Sequence, residues 1–251
     1  MSTWEVLAVL AAGLAAGAIN AVVGSGTLIT FPTLIAIGYP PVLANVSNTV
    51  GLVPGSLAAV VGYRAELAGQ ARRLARLCAA STCGALAGGA LLLTLPAGAF
   101  KAIVPVLIVA ACVLVVLQPR LTAALAARRP AGRPAHGGPV LLGAVCLTGV
   151  YAGYFGAAQG VLLIALLGVF LTDGMQRINA AKNVLALTAN AVAAALFLIV
   201  TEVDWAVVGL IATGSVAGGL LGARVGRRLP PGVLRGLIVA VGTVAVVRLL
   251  V

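Results

Sequence analysis

Apolar residues fill this chain in ten stretches, at about 5–23, 27–37, 42–62, 74–94, 100–118, 140–157, 161–171, 178–200, 206–223 and 233–250. Most of the charge stands between them. Eight of the stretches come close to the ~20 residues that an α-helix needs to cross the hydrocarbon of a bilayer. Only 8% of the 251 residues are charged and 62% are hydrophobic, where an ordinary soluble domain carries about 25% charge. A mean hydropathy of +1.17 leaves too little polar surface for a water-facing fold. The sequence therefore predicts an all-α polytopic membrane protein with short loops and no room for a separate soluble catalytic domain. Because Met-Ser-Thr-Trp-Glu has no basic region, the first stretch reads as a span rather than a cleaved signal peptide.

The formal net charge is +11. No basic run carries interleaved aromatics, so nucleic acid is not an expected partner. Basic residues of polytopic proteins gather instead in cytoplasmic loops. Cys78, Cys83, Cys112 and Cys146 lie in apolar surroundings without metal-type spacing and read as small hydrophobes. The five acidic residues, Glu5, Glu66, Asp173, Glu202 and Asp204, all sit at the ends of stretches. His136 lies in the longest polar segment, and no phosphate-binding loop is present. Nothing in the sequence assembles an acid–base or nucleophilic set, a metal site or a cofactor site, so the chain is not expected to be an enzyme.

That polar segment, 119–138, reads as a basic cytoplasmic linker between a first repeat, 1–118, and a second, 139–251. Four anchors recur across it in order. Gly17-x6-Gly24 matches Gly149-x6-Gly156, and Asn48 matches Asn183. Gly84-x3-Gly88-Gly89 matches Gly214-x3-Gly218-Gly219, and Pro96-x-Gly98-x-x-Lys101 matches Pro230-x-Gly232-x-x-Arg235. Duplicated halves are the usual plan of secondary transporters.

The basic residues also suggest how the halves are related. The loop holding Arg64, Arg72, Arg73 and Arg76 corresponds to the acidic Thr201-Glu-Val-Asp204. The loop with Lys101 alone corresponds to one with Arg224, Arg227, Arg228 and Arg235. A bias that swaps between halves indicates inverted repeats of about five segments each. If the short stretches 27–37 and 161–171 both count as crossings, thirteen basic residues fall inside and two outside. If both are re-entrant, the split is nine to six. The positive-inside rule prefers the first arrangement, and segment length prefers the second. The first puts 64–76, 119–138 and 224–235 in the cytoplasm and both termini outside.

The two short stretches follow glycine-rich breaks, Gly24-Ser-Gly26 and Gly156-Ala-Ala-Gln-Gly160. Broken helices in lipid need protein or water around their freed backbone groups. The N-terminus of a half-helix presents amides to an anion. Ser25, Gly26, Thr27, Gln159 and Gly160 stand at these starts. The helices that follow carry Asn48 in the first half and Lys182 and Asn183 in the second, and Asn20 precedes the first break. Asn179, Lys182, Asn183, Ala186 and Asn190 share one helix face, and a polar stripe within a span faces a cavity or the protein interior. Lys182 can contact an anion there or snorkel to the interface. The glycines can equally serve close helix packing. The resulting candidate substrate site is Asn20, Ser25, Gly26, Thr27, Asn48, Gln159, Gly160, Lys182 and Asn183.

These residues resemble a known family. Gly17-Ala-Ile-Asn-Ala-Val-Val-Gly-Ser-Gly-Thr-Leu-Ile-Thr-Phe-Pro32 and Ala44-Asn-Val-Ser-Asn-Thr-Val-Gly-Leu-Val-Pro-Gly-Ser56 are similar to the signature of the sulfite exporter TauE/SafE family. Gly153-Tyr-Phe-Gly-Ala-Ala-Gln-Gly160 and Asn179-Ala-Ala-Lys-Asn183 repeat it in the second half. Thr27 and Ala157-Ala158-Gln159 depart from the family's more glycine-rich breaks. The resemblance implies a multi-pass protein of the bacterial inner membrane that transports sulfite, sulfonates or related sulfur oxyanions by alternating access. A passive anion channel, or the membrane subunit of a larger transport complex, is the alternative. The lipid bilayer is the surrounding partner. A coupling ion, proton or sodium, and an oligomeric state are left open.

Overall fold

The computed structural model describes residues 1–127 and 138–225, with Gly236, Ala240 and Thr243 beyond them. The described residues form helices and no strand. In chain order they are α1 (Thr3–Val22), α2 (Thr27–Ala36), α3 (Pro41–Gly62), a 3-10 turn (Arg64–Leu67), α4 (Ala71–Thr94), α5 (Ala97–Ala127), α6 (Gly138–Tyr154), α7 (Gln159–Phe170), α8 (Met175–Val200) and α9 (Trp205–Val225). Six of them contain stretches long and apolar enough to cross a bilayer, while α2, α6 and α7 are shorter. The tenth apolar stretch and its Pro230-x-Gly232-x-x-Arg235 match lie outside the described residues, except for Gly236, Ala240 and Thr243. So do 128–137 of the segment read as a linker.

Each described apolar stretch becomes a helix within a few residues of its expected bounds. Lipid offers backbone groups no partner, and a helix satisfies them within the segment. Ser2 starts α1 with a capping box: its hydroxyl accepts from the Glu5 N–H, and its own N–H donates to Glu5 Oε2. The largest departure is α5, which continues past Gln118 and through Pro119 to Ala127. Proline removes one helical hydrogen bond, but Leu121-Thr-Ala-Ala-Leu-Ala-Ala127 is rich in strong helix formers. The first part of the segment read as a linker is thus helical.

Three helix pairs dominate the packing, α1 on α9, α4 on α6 and α3 on α9. Lipid tails are as apolar as leucine, so small residues that let backbones approach drive such pairs. A Cβ on Gly84 would collide with Cys146 O and Val150 N, and one on Gly218 with Leu14 O and Ala18 N. Each of these two contacts joins a helix from before the 119–138 segment to one from its far side.

The helix ends sort into two groups. Met1, Val6, Tyr39 and Trp205 line one groove of about 630 Å³, which brings together the starts of α1 and α9 and the turn leading into α3. Leu74, Leu141, Leu171 and Ile178 share one cluster, which brings together the starts of α4, α6 and α8 and the end of α7. Each short helix therefore returns the chain to the end from which the preceding helix set out.

Candidate functional site

The site begins where α1 and α6 stop. At the end of α1, the N–H groups of Val23 and Gly24 both donate to Ile19 O. At the end of α6, those of Phe155 and Gly156 both donate to Tyr151 O. Gly24 (φ +83) and Gly156 (φ +73) take the left-handed conformation that closes a helix this way. Three residues later α2 and α7 begin, at Thr27 and Gln159.

The two breaks touch. Gly160 N–H donates to Gly24 O at 2.9 Å, and their Cα atoms leave no room for a side chain on either residue. The Gly160 amide, expected from sequence to face a ligand, instead joins the two halves. Ser25, Thr27 and Gln159 are buried beside this contact.

Three side chains of α8 converge on the carbonyl end of α1. Lys182 Nζ donates to Asn20 O at 2.8 Å and Ala21 O at 3.4 Å. Asn179 Nδ2 and Asn183 Nδ2 reach Ala21 O at 3.1 and 3.3 Å. The last carbonyls of a helix have no partner in their own helix and accept such N–H donors. Lys182 is 0% exposed, so it does not snorkel. The break after α6 receives one such contact, from Asn45 Nδ2 to Tyr154 O at 3.1 Å.

Contacts of this kind also recur at a fixed spacing, which defines a register of its own. Ser81 Oγ donates to Leu185 O, and Ser215 Oγ donates to Gly51 O. Both serines and both acceptors are separated by the same 134 positions, as are Asn45 and Asn179. In this register Asn48 corresponds to Lys182, one residue from the match with Asn183. Gly84 corresponds to Gly218 rather than Gly214. Glycines four residues apart in both helices let the sequence match slip by one turn. The glycine breaks themselves keep the offset of 132, because α7 is two residues longer than α2.

Around the first break the donors and acceptors do not balance. Thr30 Oγ1 donates to Asn48 Oδ1, while Asn48 Nδ2 and Ser25 Oγ are buried with no partner. Asn45 Oδ1 and Asn179 Oδ1 are also buried and unpartnered. Asn20 Nδ2 donates to Ser56 Oγ at 3.4 Å. The nine residues expected from sequence thus lie along the two breaks and the segments of α3 and α8 beside them. Asn183 is committed to a backbone carbonyl. The sequence-based set omits Thr30, Asn45 and Asn179. The 134 register would have paired the two asparagines, and Thr30 stands one turn past Thr27 on α2. Among the described residues no three His, Cys, Asp or Glu side chains cluster as metal ligands.

Residues 9–249 match the family described as sulfite exporter TauE/SafE, and the chain belongs to that family. A probable membrane transporter protein of Haemophilus influenzae is 27% identical over 88% of this chain and 85% of its own length. The probable membrane transporter protein YfcA of Escherichia coli K12 is 29% identical over 85% of this chain and 76% of its own. A probable membrane transporter protein of Sinorhizobium, ORF9, is 26% identical over 95% and 90%. No solved structure matches the chain. Family and apolar helices together make this a multi-pass membrane protein of a transporter family, which in a bacterium resides in the inner membrane.

Proposed function

We propose that this member of the sulfite exporter TauE/SafE family is a secondary transporter of small sulfur oxyanions or sulfonates. Its substrate sits where the two breaks meet. The carrying observation is the pair of buried, unpartnered donors beside α2, the Ser25 hydroxyl just before it and the Asn48 amide on α3, whose oxygen accepts from Thr30. Burying such groups without a partner costs about 1–3 kcal/mol each, and a small oxyanion supplies acceptors for both. The N–H groups of Leu28 and Ile29 already donate to Ser25 O and Gly26 O, so the donors offered to the anion are side chains, to which the Lys182 ammonium adds charge. Gly26 lets the start of α2 pack on α1, because a Cβ there would meet Ala16 O at 2.5 Å.

The halves act as inverted repeats that expose this site to one side at a time, and the site residues contribute binding rather than catalysis. Recurrence of the same contacts at a fixed offset supports this, as do starts of α1 and α6 at opposite ends of the bundle. The test is a flux screen in proteoliposomes over sulfite, sulfate, thiosulfate, taurine, sulfoacetate and chloride. Saturable uptake of a sulfur anion, with counterflow, is the expected result. Loss of one charge-assisted hydrogen bond, about 1.5–3 kcal/mol, makes Asn48→Ala bind roughly tenfold to a hundredfold more weakly. Wild-type affinity in a folded Asn48→Ala protein would move the site elsewhere, and linear flux without saturation would make the protein a channel.

A further inference from the structure

Lys182 breaks the symmetry of the site. The repeat matches Asn45 with Asn179 and Ser81 with Ser215, yet it sets a lysine opposite Asn48. The ammonium nitrogen is fully buried, and both of its acceptors, Asn20 O and Ala21 O, are neutral carbonyls. The described ion pairs join Asp173 to Arg73 and Arg177, at the start of α8, and none reaches Lys182.

Among the described residues no countercharge is close. On α7, whose Gly160 lies against the Lys182 stem, no residue titrates. On α1 the titratable side chain is Glu5, at the far end. From α3, Tyr63 packs on Ala180. From α4, Cys78 accepts a hydrogen bond from Thr188, and Arg73 pairs with Asp173. The 3-10 turn brings Arg64 and Glu66 toward the start of α8, and α6 carries Cys146, Tyr151 and Tyr154. None of these offers a carboxylate to the buried nitrogen. An isolated buried charge is expensive in protein and more so in lipid. A neutral amine donates the same two hydrogen bonds and leaves its lone pair over.

We infer that Lys182 takes up one proton together with the anion and releases it with the anion, which makes transport a proton–anion symport. The proton adds from water to the amine lone pair. The new N–H then faces the anion, and each charge removes the cost of burying the other. This inference rests on the anion site proposed above.

The chain has two lysines, Lys101 and Lys182, and Lys101 is exposed. Carbon-13 labelling of the lysine ε position in nanodiscs therefore gives two signals, assigned with Lys101→Arg. At pH about 8 an exposed lysine is charged, so Lys101 serves as the internal standard. Lys182 is expected to give a neutral-amine signal in the free protein and an ammonium signal with saturating sulfite. In the flux assay sulfite entry is expected to carry protons, and Lys182→Arg, charged at all times, is expected to lose that proton movement. An ammonium signal without sulfite overturns the inference. So does an unchanged neutral signal while sulfite is transported, and in both cases the anion site stands. If no sulfur anion in the screen moves, the site and the coupling fall together.

Discussion

The two halves tie themselves together at matching positions with different chemistry. In one clasp Tyr39 donates to Asp204 Oδ2 at 2.8 Å, and the N–H groups of Ala206 and Val207 donate to Asp204 Oδ1. In the other, Asp173 holds Arg73 at 2.6 Å and Arg177 at 3.0 Å, and Arg73 reaches Gln70. Tyr39 matches Asp173 and Gln70 matches Asp204 in the 134 register. One clasp is a phenol on a helix-capping carboxylate, and the other is an ionic triad. The centre shows the same pattern, with Lys182 in one half and Asn48 in the other. The contacts recur at a spacing of 134 residues while the side chains that make them differ.

The largest expected difference lies at the breaks. Gly24 and Gly156 share a left-handed backbone, but only Gly24 is pressed against the other half, at Gly160. Gly156→Ala meets Ala152 O at 3.1 Å and should cost about 1–3 kcal/mol in backbone strain. Gly24→Ala adds about 1–3 kcal/mol or more of overpacking and is expected to abolish the folded, monodisperse protein. Equal melting temperatures for the two variants in detergent would show that the breaks do not press on each other.

The clasps come next. Asp173→Asn removes the partner of two guanidiniums and should lower stability by about 1.5–3 kcal/mol. Tyr39→Phe removes one hydrogen bond, about 1 kcal/mol. A larger loss in Tyr39→Phe would reverse the ranking of ionic and neutral clasps.

The smallest effect, and the sharpest separation, is in pH. Burial pushes the Tyr39 phenol up to about 12, helped by its hydrogen bond to Asp204 and that residue's charge. A raised folded value means that its stabilisation is complete below the ordinary tyrosine range, near 10. It is then lost as pH rises toward 12. For Asp173 burial acts upward, but Arg73 and Arg177 outweigh it and hold the carboxyl below its usual range. Its stabilisation is present above about pH 4 and is lost on further acidification. Asp204 is also held low, by the N–H groups of Val207 and Ala206 and the Tyr39 hydroxyl against burial, so its clasp also weakens in acid. Thermal melts across pH should therefore show an alkaline decline that Tyr39→Phe removes and Arg73→Gln keeps. An alkaline decline that survives Tyr39→Phe would assign it to another group.

Much of this protein follows from its sequence for one reason. In lipid a chain must satisfy its backbone within each segment, so apolar length dictates helices, and the left-handed glycines dictate where they stop. Gly24 and Gly156 marked both breaks, and the sequence-based bounds hold for α3 and α8 to within a few residues. The basic segment read as a linker hid the end of α5, which alanines and leucines carry through Pro119 to Ala127. Which polar atoms meet was a tertiary decision. Successive residues on a helix point about 100° apart, so the one-residue slip between Asn183 and Lys182 is a change of face. Only packing of α8 across the end of α1 set Lys182 on the carbonyls of Asn20 and Ala21, left Ser25 and Asn48 without partners, and turned the Gly160 amide from a ligand donor into the bond between the halves.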